Sequence, residues 1–66
     1  MMIRRTSTVS GLTREQDLPI TDEQINAYLS GALIQQAFPD CTPAQREFFL
    51  SGISEEEWDA IFNEEH

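Results

Sequence analysis

TPAQREFFLSGISEEEWDAIF, residues 42 to 62, contains the start of one helix, its end and the start of the next. Two capping boxes fit this stretch, at Thr42 with Gln45 and at Ser54 with Glu57. In a capping box, side chains bind backbone amides that the first helical turn leaves without partners. Gly52 follows the first apolar pattern, where a left-handed residue ends a helix. The stretch therefore predicts two short helices joined by a tight corner.

Three apolar residues, Phe48, Phe49 and Leu50, stand side by side on the first of these helices. Successive residues of an α-helix turn by about 100°, so the three side chains fan over about 200° and cannot all face one neighbour. Either this helix is central and touches others on two sides, or one of the three is exposed as a contact. If one of them is exposed, we expect it to be Leu50, because it points away from the midpoint between the two phenylalanines.

The same signals for the start and end of a helix recur towards the N-terminus, with a third capping box at Thr21 and Gln24 and a glycine stop at Gly31. The pattern predicts helices over residues 22–30, 32–38, 43–51 and 55–63. The first two are alternatively one rod that continues through Gly31. The predicted fold class is all-α, a small bundle of three to four short helices with a flexible N-terminal arm.

The N-terminal residues show little apolar periodicity and are rich in serine, threonine and arginine. Such a composition buries too little surface to offset the entropy of ordering the chain. We therefore predict two parts, a flexible N-terminal arm over residues 1–18 and a small helical domain over residues 19–66.

The apolar stripes of the predicted helices indicate which residues form the core. On the last helix the stripe follows the spacing i, i+3 and i+4. The predicted core consists of Ile25, Tyr28, Leu29, Leu33, Phe38, Phe48 or Phe49, Ile53, Trp58, Ile61 and Phe62.

Composition excludes several classes of protein. A chain of 66 residues makes one domain, and Cys41 as the only cysteine allows no internal disulfide. Cys41 and the only histidine, His66, cannot supply the four ligands of a closed zinc site. We expect Cys41 to be an inert apolar plug. No stretch has the length and apolarity of a signal peptide or membrane span, so we expect a cytoplasmic protein without membrane contact.

Charge is unevenly distributed along the chain. Residues 1 to 20 carry three arginines against two acids, a net charge of +1, and residues 21 to 66 carry ten acids against Arg46, a net charge of −9. An acidic body repels phosphate backbones, so direct nucleic-acid binding is disfavoured. Glu55, Glu56 and Glu57 in one first turn also complement the helix dipole, a structural role that accounts for them without a partner.

We do not expect an enzyme, because the sequence lacks the common patterns of catalytic residues. The chain offers no Ser-His-Asp or Cys-His pair, no glycine-rich phosphate loop and no calcium-binding loop pattern. A fold this small also has no deep cleft to tune two carboxylates as acid and base. We predict no catalytic activity and no cofactor or metal.

A composite pattern runs through residues 20 to 62: T-x-x-Q, an aromatic residue, G-x-L-I-Q, F-P, R-E-F, S-G-I and E-E-W-x-x-x-F. The residues that carry it are Thr21, Gln24, Tyr28, Gly31, Leu33, Ile34, Gln35, Phe38, Pro39, Arg46, Glu47, Phe48, Gly52, Ile53, Glu56, Glu57, Trp58 and Phe62. By this pattern the chain resembles a group of short uncharacterised proteins of bacteriophages, notably small single-stranded DNA phages of the microvirus type. The resemblance implies a phage context and the bacterial cytoplasm.

A small phage protein without catalytic residues is expected to bind something. The first hypothesis is an adaptor or inhibitor that docks on a host or viral protein. The second is an acidic DNA mimic that occupies a nucleic-acid-binding protein. The third is a homo-oligomeric structural protein. The candidate partner-binding residues are Arg46, Leu50, Glu55, Glu56 and Asp59.

Overall fold

The computed structural model describes residues 1 to 62, which form two strands and four helices. In chain order the elements are β1 (Met2–Thr6), β2 (Thr13–Asp17), α1 (Asp22–Leu29), α2 (Ile34–Ala37), α3 (Pro43–Ser51) and α4 (Glu55–Phe62). The predicted end of the last helix at residue 63, and His66, lie outside the described residues.

The predicted fold class is wrong, because the supposed flexible arm is a β-hairpin and the protein is mixed α and β. β1 and β2 pair antiparallel, with Ile3 opposite Gln16 and Arg5 opposite Arg14. Alternate residues of a strand face opposite sides, and Ile3 is the one apolar residue that either strand buries. A single buried apolar residue leaves no visible alternation, so the hairpin has the composition of a disordered tail.

The turn between the strands is closed by backbone hydrogen bonds. The amide of Ser7 donates to the Leu12 carbonyl at 2.8 Å, and the amide of Gly11 donates to the Ser7 carbonyl at 3.0 Å. The Ser10-Gly11 pair was the available sequence signal for this turn, because Ser-Gly dipeptides favour turns.

The helix starts at α1 and α3 confirm the predicted capping boxes. Gln24 donates its amide to Thr21 Oγ1 at 3.2 Å, and Thr21 donates its own amide to Gln24 Oε1 at 3.0 Å. Thr42 and Gln45 make the same two bonds at 3.1 and 2.8 Å. These starts are local, because each depends on residues only three positions apart.

The first two helices are separate, so a continuous rod through Gly31 is wrong. α1 ends at Leu29 and α2 begins at Ile34. Gly31 adopts a φ of 111°, which breaks the helical path between them. Leu29 and Leu33, on either side of the break, face the solvent, with 74% and 63% of their surfaces exposed.

Gly52 joins α3 to α4 in the left-handed conformation predicted for it, with a φ of 76°. A side chain there would also collide with the hairpin, since a Cβ built on Gly52 lies 2.5 Å from the Thr6 carbonyl oxygen. The Ser51 carbonyl accepts the Thr8 amide at 3.1 Å. The α3–α4 corner is therefore seated directly against the end of β1.

The core joins the hairpin to the helices. Phe38, Phe48 and Leu18 are its most buried large side chains, and Phe49, Cys41 and Ile53 are also buried, as the sequence predicted for all but Leu18. Ile3, Leu18 and Ile20 were not predicted as core. Five predictions were wrong: Leu29, Leu33 and Phe62 are exposed, and Trp58 and Ile61 are only half-buried and lie outside the core. The hairpin contributes Ile3 to the core, and the last helix, which was predicted to pack there, contributes no buried residue.

Candidate interaction surface

Two arginines on the inner face of the hairpin hold the two C-terminal helices. Arg5 and Arg14 are paired across the strands. Arg5 donates from Nε to the Phe49 carbonyl at 2.9 Å, and its guanidinium lies 4.6 Å above the centre of the Phe49 ring. It thereby satisfies one of the carbonyls that the last turn of α3 leaves without a helical partner.

Arg14 holds α4 through Glu57. The Arg14 guanidinium forms an ion pair with the Glu57 carboxylate, which also accepts hydrogen bonds from Ser7 Oγ at 2.8 Å and Ser10 Oγ at 3.2 Å. Partial burial raises the pKa of the Glu57 carboxyl, but the hydrogen bonds from the two serines and Arg14, with the charge of Arg14, lower it by more. The pKa of Glu57 therefore lies below its usual value.

This use of Glu57 departs from the predicted capping box at the start of α4. The Glu57 amide still donates to Ser54 Oγ at 3.2 Å, which is half of the box. The Glu57 side chain, however, reaches the hairpin turn instead of the Ser54 amide. Sequence reasoning missed Ser7, Ser10 and Arg14 as its partners because they come from the segment predicted to be disordered.

Because Glu57 faces the hairpin turn, its position determines which way the other side chains of α4 point. Residues 57 and 61 lie on adjacent turns, and Ile61 lines a shallow hollow with Val9 of the hairpin turn. Trp58 and Phe62 lie on another face, with their rings stacked 5.6 Å apart. Phe62 is 72% exposed, and α4 contains no buried residue. The aromatic pair is therefore on the surface, contrary to the predicted core.

Three of the predicted partner-binding residues come together at the start of α4. Glu55, Glu56 and Asp59 line an open cleft of about 510 Å³ between this helix and β2. The β2 side of the cleft is formed by residues 14 to 16. Arg14 is the one cation in this lining among the described residues, and it is already paired with Glu57. The cleft is consequently acidic.

The other two predicted residues, Arg46 and Leu50, lie on α3 and are not part of the cleft lining. Arg46 is half-buried and donates from Nε to the Phe38 carbonyl at 3.1 Å, so its guanidinium closes the end of α2. Leu50 is 51% exposed whereas Phe48 and Phe49 are buried, which is the division predicted for the triplet. A binding role for either residue stays a prediction.

Chemistry-bearing side chains outside this surface are few. Cys41 is buried in the core, and burial raises the pKa of its thiol, partly offset by the charge of Arg46 and reinforced by Asp40. A protonated, enclosed thiol is a poor nucleophile. Within residues 1 to 62, no three carboxylate, imidazole or thiol side chains are grouped as metal ligands.

Comparisons with known proteins add no family assignment. No family model, curated protein or solved structure matches the chain. Each helix in the described part of the chain is too short or too polar to cross a membrane.

Proposed function

We propose that the protein is a non-catalytic interaction module that presents α4 to a protein partner, as an adaptor or inhibitor of a host or viral protein. The observation that carries the proposal is the stacked pair of Trp58 and Phe62, which stays at the surface of a helix anchored from its other side. Resemblance to short phage proteins supports a partner in the bacterial cytoplasm.

The aromatic pair has the properties of a binding anchor. Trp58 and Phe62 are spaced i and i+4, so they lie on one side of the helix. Exposed aromatic side chains are unfavourable in water, and buried tryptophan and other large side chains provide most of the energy at protein interfaces. An amphipathic helix with such a spacing binds in an apolar groove of its partner.

The acids beside this pair indicate the partner's charge. Glu55, Glu56 and Asp59 are exposed on the same helix, and no cation pairs with them among residues 1 to 62. We therefore infer a partner whose apolar groove has a basic rim. A second copy of the chain fits less well, because each copy carries a net charge of −8.

A DNA mimic would use the carboxylates without the aromatic pair. Its binding would weaken steeply with salt, because it depends on many charge contacts at a protein surface. An aromatic anchor in an apolar groove would retain most of its affinity under the same change. Salt dependence therefore separates the two functions.

The test is capture of partners from bacterial lysate, followed by mass spectrometry, with matched baits. Phe62→Ser removes the anchor, and Leu12→Ser is the control because Leu12 is an exposed apolar residue of the hairpin turn. We expect one specific protein to be captured by the wild type and by Leu12→Ser, to be lost with Phe62→Ser, and to survive a rise from about 50 to about 300 mM salt.

Two outcomes contradict the proposal. Capture that is unaffected by Phe62→Ser, but is lost with salt and with a Glu55→Gln, Glu56→Gln and Asp59→Asn triple variant, indicates the DNA mimic. A concentration-dependent dimer in sedimentation that Phe62→Ser dissociates indicates a homo-oligomer.

A further inference from the structure

β2 is an edge strand whose outer backbone groups point away from β1. The Ser7 amide donates to the Leu12 carbonyl, and the Leu18 amide donates to the Met1 carbonyl at 2.9 Å. These two bonds define the alternation of the antiparallel ladder. By that alternation, residues 14 and 16 bond to β1, and the amides and carbonyls of residues 13, 15 and 17 face outward. Among the described residues no further strand pairs with this edge.

The acidic cleft borders this same strand. Its β2 side includes Arg14 and Gln16, which share the inner face of the hairpin, and Glu15, which lies on the outer face. The cleft therefore lies beside residues 14 to 16 of β2, and the middle one, Glu15, directs its amide and carbonyl away from β1.

We propose that the cleft binds an extended basic peptide segment of a partner protein, which adds to β2 as a third strand. The inference rests on the proposed function, because Glu55, Glu56 and Asp59 belong to both surfaces. In this mode the main-chain hydrogen bonds provide affinity and the side-chain surroundings provide specificity. Here the surroundings on the side of α4 are its three carboxylates, whereas Glu15 lies on the outer face, where its exposed ion pair to Arg4 is long, at 3.5 Å.

The dimensions of the edge suit a short segment. Five residues of β2 extend over about 16 Å, and an added strand lies about 4.8 Å away. A segment with arginine or lysine at alternate positions places its cations towards the acids of α4. Its remaining residues face the opposite side of the enlarged sheet.

A second copy of β2 is a poor occupant of the edge. Antiparallel pairing of two identical edges aligns the outward residues 13, 15 and 17 with one another. The three registers of greatest overlap place Glu15 opposite Glu15, Arg14 opposite Arg14, or Glu15 opposite Asp17. Like charges directly opposite each other destabilise a sheet, so charge favours a basic partner segment.

The binding experiment uses the full chain and the capped peptide RVRVRVR in isothermal titration calorimetry. The first control peptide has the same sequence with N-methyl groups on alternate backbone amides, which removes donors and keeps the charge. The second is EVEVEVE. We expect RVRVRVR to bind, the N-methylated peptide to bind at least about tenfold more weakly because its strand hydrogen bonds are blocked, and EVEVEVE not to bind.

Two variants of the protein, Glu15→Pro and Glu15→Gln, test the same edge of β2 without a change in the peptide. Glu15→Pro removes the outward amide without removing a bond to β1, since proline is tolerated on the solvent side of an edge strand. Glu15→Gln removes the same charge and keeps the amide. We expect Glu15→Pro to reduce affinity at least about tenfold relative to Glu15→Gln. Circular dichroism checks that both are folded, and if Glu15→Pro is not, the N-methylated peptide decides.

Equal affinity for the two basic peptides, equal affinity of the two Glu15 variants, or no binding of RVRVRVR overturns the inference. The Phe62→Ser chain separates it from the proposed function. That chain should bind RVRVRVR as the wild type does, because Phe62 is not part of the cleft lining. Loss of partner capture with Phe62→Ser, together with no binding of RVRVRVR, would leave the proposed function standing and the inference overturned.

Discussion

α3 and α4 start with similar capping sequences and have nearly equal lengths, yet they are held in different ways. α3 buries Phe48 and Phe49, and α4 has no buried residue. Each is contacted by an arginine of the hairpin, α3 by Arg5 and α4 by Arg14. Arg5 supports a helix that already packs in the core. Arg14 holds a helix whose main attachment is polar.

The difference in attachment has a functional consequence. A helix held by apolar packing uses its apolar face for the fold, and none of that face remains for a partner. α4 is held at Glu57, so Trp58 and Phe62 stay available on another face. Polar anchoring is also sensitive to pH, whereas apolar packing is not.

The largest expected effect is on the packed helix. Phe48→Ala should cost about 3–5 kcal/mol, because Phe48 is 1% exposed and its loss leaves a cavity. A domain of this size has little stability to spare, so the variant should be largely unfolded in thermal circular dichroism. Trp58→Ala is the matched aromatic control and should cost under about 1 kcal/mol. Equal losses would show that α4 belongs to the core.

The second effect distinguishes the polar anchor. The pKa of Glu57 is lowered in the folded protein, so its contribution is complete above the unfolded pKa and is lost as pH falls through the folded pKa. We expect the fluorescence of Trp58, the only tryptophan, to report a loosening of α4 in that acidic range. Glu57→Gln should lack this transition.

Asp59→Asn is the control for this titration, because Asp59 lies on the same helix and has no ion pair among the described residues. The transition should persist in it. A transition that is unchanged in Glu57→Gln would mean that another carboxyl anchors the helix.

The smallest expected effect concerns Leu50. Leu50→Ser should change stability by under about 0.5 kcal/mol, since the side chain is half exposed. Phe49→Ser should unfold the domain, because it leaves a cavity and buries a hydroxyl. Chemical denaturation of the two variants measures the contrast. If Leu50→Ser is as damaging as Phe49→Ser, α3 is enclosed on all sides.

Part of the candidate surface could be read from the sequence. Glu55, Glu56 and Asp59 were identified as acids of the predicted last helix, and the structure places them in one cleft. The β2 side of that cleft was missed, because strands 13 to 17 and 2 to 6 bury one apolar residue between them. Trp58 and Phe62 were assigned to the core, since an apolar stripe on a helix does not show whether anything covers it.

The sequence by itself determined the helix starts at Thr21 and Thr42 and the stop at Gly52. Caps and stops depend on residues within four positions of one another, so they are visible in a local pattern. Only the tertiary structure decided that the first residues form a hairpin and that α4 is anchored through Glu57. Those features depend on Arg5 with Phe49, Arg14 with Glu57 and Ser7 with Glu57, pairs that lie 44, 43 and 50 residues apart. Contacts at such separations leave no periodic trace in the chain, because each consists of one polar side chain meeting another group only after folding.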